Sequence, residues 1–135
     1  MVTKANQWAR DHGKTPFCIY QGFWSILDRS FERDIIPMAR IEGLALSPWG
    51  AAGQGRLMTD EEEKRRKESG EGGRTVFSKD WERNPQEVKV SRKLEEIAKE
   101  VGTKHITAVA LAYLMHVCLF GYVMVSWYRS AHALV

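Results

Sequence analysis

The run SPWGAAGQGR at residues 47–56 holds the densest set of groups able to bind a ligand. Gly50, Gly53 and Gly55 let backbone N–H groups approach phosphate oxygens, Ser47 offers a hydroxyl donor, and Arg56 adds a fixed positive charge. The run leaves the end of an apolar stretch, and in barrels the C-terminal ends of strands are where ligands bind, with phosphate sites common after the late strands. Its spacing is neither G-x-G-x-x-G nor a P-loop. From pattern alone, a glycine-rich surface loop that binds nothing is the commoner source of such a run. Gln21 closes an earlier apolar run, where its side chain can grip a carboxamide with one donor and one acceptor. A Gln satisfied by backbone groups is again the commoner case.

The remaining polar groups do not converge. His12, His105, His116 and His132 are scattered, and His12 falls at a helix end, where partial positive charge suits the dipole. Tyr20, Tyr113, Tyr122 and Tyr128 have no lysine and acid at a spacing that would activate one as a proton donor. No CxxC or HExxH spacing occurs, so no metal site is assigned, and no catalytic residue is assigned. Trp24 and Trp49 read as packing residues, Trp49 within the glycine-rich loop.

The elements that would hold these groups follow from periodicity. Residues 3–12 read as a short helix ended by Gly13 and Pro16, and residues 17–21 as a buried strand. Residues 31–42 carry Ile35, Met38 and Ala39 on one helical face, with Gly43 as the stop. Pro37 is harmless there if Asp34 is the N-cap, because its missing N–H then lies in the first turn. Residues 44–47 read as a second buried strand, and residues 48–55 as loop. Residues 59–69 form a solvated helix opened by a Thr59/Glu62 capping box, with acid-to-base pairs Glu61/Arg65, Glu62/Arg66 and Glu63/Lys67. Asn84, Pro85 and Glu87 mark the clearest helix start, with Val90, Leu94, Ile97, Ala98 and Val101 as its stripe and Gly102 as its end. A last helix begins near Ile106. Two fully apolar strands separated by a helix imply a parallel α/β sheet or barrel, but two strands cannot cover themselves. The chain therefore reads as a segment of a larger α/β fold.

Composition agrees with a globular domain or a piece of one: 135 residues, 44% hydrophobic, 27% charged, formal charge +3. So small a charge, with no basic stripe interleaved with aromatics, gives no reason to invoke nucleic acid. A polar N-terminal stretch and two distant cysteines, Cys18 and Cys118, predict free thiols in a reducing, cytoplasmic setting.

Several motifs together carry a resemblance. Residues 4–17 (KANQWARDHGKTPF), 19–29 (IYQGFWSILDR), 31–40 (FERDIIPMAR) and 46–50 (LSPWG) resemble the fifth helix, sixth strand, sixth helix and seventh strand of aldo-keto reductases. Within that family the resemblance is to the fungal aryl-alcohol dehydrogenases and norsolorinic acid reductases, and it runs over residues 2–113. It implies a (β/α)8 TIM barrel that binds NADP in extended form without a Rossmann domain. It also implies a small aromatic or polyketide aldehyde, ketone or alcohol as substrate. By resemblance Gln21 meets the nicotinamide carboxamide and Leu46 lies beside the nicotinamide ring. Ser47, Pro48, Trp49, Gly50, Gly53, Gly55 and Arg56 surround the pyrophosphate and adenosine half.

The departures from the family pattern shape the expectation. The family's catalytic Asp, Tyr, Lys and His lie on strands that would precede Met1. The strand and Gly-Gly-Arg loop that should follow residue 113 are replaced by an apolar tail. The expected architecture is a partial barrel over residues 1–113, about strands six and seven with flanking helices, truncated at both ends, and a non-family tail over residues 114–135. Such a chain is expected to be inactive alone and to self-associate through exposed strand edges. The alternative is a non-catalytic remnant or a tail-anchored protein. Residues 106–127 have no formal charge and the length to span a bilayer, with Lys104 and Arg129 at the flanks. Their overlap with a soluble family helix, and Gly121 and His116 within them, count against a span.

Overall fold

Helices and strands alternate in the order the sequence predicts. The structure is a computed structural model and describes residues 1–73 and 81–118. It comprises α1 (Val2–Asp11), β1 (Ile19–Phe23), α2 (Phe31–Glu42), β2 (Ala45–Trp49), a 3-10 turn (Gly53–Gly55), α3 (Asp60–Ser69), α4 (Pro85–Glu100) and α5 (Ile106–Val117). β1 and β2 pair in parallel, as a strand–helix–strand unit requires. The result is an α/β unit consistent with part of a TIM barrel.

Both strands run past their expected ends, β1 to Phe23 and β2, which begins at Ala45, to Trp49, and three further details differ from the sequence reading. β1 starts at Ile19 rather than residue 17, because the Asn6 carboxamide occupies the backbone of Phe17. Its Oδ1 accepts from the Phe17 N–H at 2.9 Å, and its Nδ2 donates to the Phe17 C=O at 3.2 Å. Phe17 and Ile19 are consequently exposed, so β1 is not buried on both faces. α2 spans Phe31–Glu42 as the sequence predicts, but its N-cap is Ser30 rather than Asp34. Asp28 accepts from the N–H and hydroxyl of Ser30 at 3.0 and 2.6 Å, turning the chain into the helix one turn early. Pro37 then lies inside the helix, exposed, and supplies no N–H for a bond to Arg33. Burial of Phe31 and Ile36 outweighs that loss. At α3, Thr59 accepts from the Glu62 N–H at 3.1 Å, but the Glu62 carboxylate turns to Arg66 at 2.6 Å instead of closing a capping box. The box is complete at α4, between Asn84 and Glu87.

Two apolar clusters hold the unit together. The larger joins Trp24, Phe31, Ile36, Ala39, Leu44 and Leu46 to Leu114 and Cys118 at the end of α5. Residues 114–117, placed from the sequence in the tail, continue α5, and Leu114 and Cys118 sit in the core while Met115 and His116 are exposed. Residues 119–135, with Tyr122, Tyr128 and His132, lie outside the described residues, as does most of the apolar tail. Among the described residues no helix is long and apolar enough to cross a membrane. The smaller cluster packs Leu57 against Leu94, Ala98, Ile106 and Ala110 of α4 and α5. Arg83, its side chain 1% exposed, fastens the segment before α4 to the start of α3. It donates to the Met58 C=O at 2.6 Å, to Glu63 at 2.8 Å and to Asp60 at 2.8 Å.

Candidate functional site

The two strands fix which side chains meet. Gln21 pairs in register with Ser47, flanked by Ile19 with Ala45 and Phe23 with Trp49. Alternation puts these six on one face and Tyr20, Gly22, Leu46 and Pro48 on the other. The second face is the helix-covered one. Tyr20 meets the Phe31 ring edge-on at 5.8 Å, and a Cβ on Gly22 would stand 2.5 Å from that ring. Leu44, Leu46 and Pro48 are buried, whereas Ile19, Gln21 and Trp49 are exposed and Ala45 and Ser47 half-buried.

Of the nine candidate residues, the structure brings Gln21, Ser47 and Trp49 together on the open face. Leu46 and Pro48 are buried on the opposite face, against the core, and do not line the open one. Gly50, Gly53 and Gly55 form a tight turn directly after β2, all at positive φ. Gly53 N–H donates to the Gly50 C=O at 2.8 Å, and Arg56 N–H to the Gly53 C=O at 2.9 Å. Glycine is needed at the first two positions. Gly50 has φ 74° and a Cβ there would lie 2.2 Å from the Phe23 ring; at Gly53, φ 67°, it would lie 2.7 Å from Leu57. Among the described residues, the N–H groups of Ala51 and Ala52 meet no backbone or side-chain acceptor. Arg56 is engaged: its guanidinium donates to the Glu82 C=O and lies 3.5 Å from Glu87.

Behind this face lies a polar cluster that the sequence did not reveal. Glu32 Oε1 accepts from the Tyr113 hydroxyl at 2.7 Å, Trp24 Nε1 at 3.2 Å and Arg29 Nε at 3.1 Å. Glu32 Oε2 accepts from Arg29 Nη2 at 2.8 Å, and the guanidinium rests 5.3 Å from the Tyr113 ring centre. The Arg29 hydrogen bonds hold the Glu32 carboxyl below its ordinary range against the opposing effect of burial, with Tyr113 and Trp24 adding to the lowering. Burial, then the bond to Glu32, pushes the Tyr113 phenol up to about 12. That shift is opposite in direction to the one that would activate a proton donor. The acid that meets Tyr113 stands 81 positions away, beyond any spacing rule. His12 stacks on Trp8 at 4.4 Å and its Nδ1 lies 2.8 Å from the Trp8 C=O, a helix-end role. Both cysteines are free, Cys18 exposed and Cys118 buried. No group of residues able to hold a metal occurs among the described residues.

The pattern that defines the aldo/keto reductase family matches residues 3–134. The chain belongs to the aldo/keto reductase family. Among its relatives is an NADP(+) aryl-alcohol dehydrogenase of Phanerodontia chrysosporium, 56% identical over 116 residues, which are 85% of this chain and 30% of the relative. A putative aryl-alcohol dehydrogenase of Saccharomyces cerevisiae is 51% identical over 114 residues, 84% of this chain and 39% of the relative. Norsolorinic acid reductase B of Dothistroma septosporum is 50% identical over 115 residues, 85% of this chain and 28% of the relative. This aldo/keto reductase chain thus spans roughly a third of the length of the curated relatives it matches.

Proposed function

We propose that this chain forms part of the NADP-binding surface of an aryl-alcohol dehydrogenase-like aldo/keto reductase. The parent reaction interconverts an aryl or polyketide aldehyde or ketone with its alcohol. One observation carries the reading: the parallel register sets Gln21 against Ser47 on the uncovered face, immediately before a glycine turn in which the Ala51 and Ala52 N–H groups meet no acceptor among the described residues. That donor set fits a dinucleotide. Gln21 offers the donor and acceptor a carboxamide needs. Ser47 and the Ala51 and Ala52 amides offer neutral donors to phosphate oxygens. Arg56, tied to Glu87, holds the end of the turn and contributes its charge at longer range. NADPH, when bound, supplies the hydride. This chain's residues orient the two halves of the dinucleotide, and no described group is placed to protonate the developing alkoxide, which needs a positioned acid. The chain alone is therefore expected not to reduce aromatic aldehydes.

Saturation-transfer difference NMR with NADP+ tests the reading, because it detects weak contacts. Transfer to nicotinamide and ribose protons is expected in the wild type and is lost in the Gln21→Ala/Ser47→Ala double variant. Equal transfer in both, or none with millimolar NADP+, contradicts it. The outer edges of the two-stranded sheet have no strand partner among the described residues, which favours association between copies. Sedimentation velocity is expected to show oligomers, and a single monomeric boundary would contradict that.

A further inference from the structure

The exits of the two strands are joined at one point. Trp24, the first residue after β1, donates its backbone N–H to the C=O of Trp49, the last residue of β2, at 3.2 Å. Around that bond, Phe23 contacts the Trp49 ring at 4.8 Å and fills the space a side chain on Gly50 would need. The glycine turn is therefore built against the Phe23–Trp24 backbone. Trp24 itself is 0% exposed, and its only freedom to shift or rotate is set by what holds its indole. One side is the Phe31 ring, stacked at 5.5 Å. The polar end is Glu32, which takes the indole N–H on the same oxygen that receives the Tyr113 hydroxyl.

We propose that Glu32 is a positioning residue for the Gly50 turn, acting through Trp24. The route is continuous: α5 and the β1–α2 loop fix Glu32 through Tyr113 and Arg29, Glu32 fixes the Trp24 indole, and the Trp24 N–H fixes the carbonyl from which the turn departs. A carboxylate with three donors on one oxygen has a single low-energy placement, because moving it breaks several charge-assisted bonds together. The consequence for the ligand rests on the cofactor reading above: a displaced Trp49 carbonyl moves the Ala51 and Ala52 amides relative to Ser47 and Gln21.

Hydrogen–deuterium exchange on the full chain tests the route directly, because the Trp24 amide is itself the donor to Trp49. Glu32→Ala is expected to speed exchange of the Trp24 amide about tenfold beyond the change in global unfolding, the effect of losing one charge-assisted bond. Glu32→Gln keeps an oxygen acceptor for the indole and the phenol and restores most of the protection. Tyr113→Phe, which removes one donor and little volume, gives a smaller change in the same direction. Asn6→Ala is the control. It breaks a buried polar link between α1 and the Phe17 backbone and lowers stability without touching the route, so Trp24 exchange should follow global stability alone. The proposal is overturned if Trp24 exchange in Glu32→Ala tracks global unfolding, or if Asn6→Ala accelerates it equally. Saturation transfer to NADP+ forms a separate arm. If the wild type shows none, the cofactor reading fails, while the Trp24 exchange still decides whether Glu32 positions the turn.

Discussion

The two faces of one small sheet do different work with neighbouring residues. Tyr20 and Leu46 pack in one cluster with α2 and the end of α5, and the buried Pro48 shares their face, while Gln21, Ser47 and Trp49, one position on, lie on the other. Alternation thus divides a continuous motif between the core and the open face proposed above to meet the cofactor. Only the register separates Leu46, a core residue, from Ser47, a surface donor.

Truncating the covered face should have the largest effect. Leu46→Ala removes a side chain 4% exposed and is expected to cost about 2–5 kcal/mol, read as a lower urea midpoint. A cost near that of a surface substitution would place Leu46 on the open face after all. The turn comes next. Gly50→Ala forces a Cβ against Phe23 at positive φ, for an expected loss of about 1–3 kcal/mol, together with reduced saturation transfer to NADP+. An unchanged midpoint would show that Phe23 yields freely.

Acid should separate the Glu32 cluster from the bare face. The folded-state pKa of Glu32 is depressed, so its stabilisation is present above the unfolded value of about 4.3 and is lost as pH falls through the folded value. Asp60 is lowered by its bonds to Arg83 and Arg92. Glu63 is lowered despite burial by its bond to Arg83. Both act in the same direction. The urea midpoint should drop as pH goes below about 5, with a shallower slope in Glu32→Gln; identical slopes would remove Glu32 from the account. The smallest effect on stability belongs to Gln21→Ala, within about 0.5 kcal/mol, since an exposed side chain on an uncovered face has little packing to lose.

Local signals made much of the fold legible. The Asn84–Pro85–Glu87 start, the glycine stops after α1, α2 and α4, and the two strands with their intervening helix were all readable, because caps and periodicity act within a few residues. The extent of α2 was legible too, but not its N-cap: Pro37 argued for Asp34, and Ser30 takes that place with Phe31 buried in the first turn. The candidate site residues could be named from their types and spacing, but not their arrangement. That Leu46 and Pro48 turn inward while Gln21 meets Ser47 depends on which face the helices cover, and so on contacts between elements. Glu32 and Arg83 were not singled out, since Tyr113 lies 81 positions from Glu32 and the partners of Arg83 lie 20–25 positions from it.

The central claim is that the open face and its glycine turn form the cofactor surface. Hydrogen–deuterium exchange of the full chain with and without saturating NADP+ tests it most directly. The account predicts slower exchange in peptides covering residues 19–24 and 45–56, with α3 and α4 unchanged and no protection in Gln21→Ala/Ser47→Ala. Protection confined to α3 or α4, or the same pattern in the double variant, would contradict it.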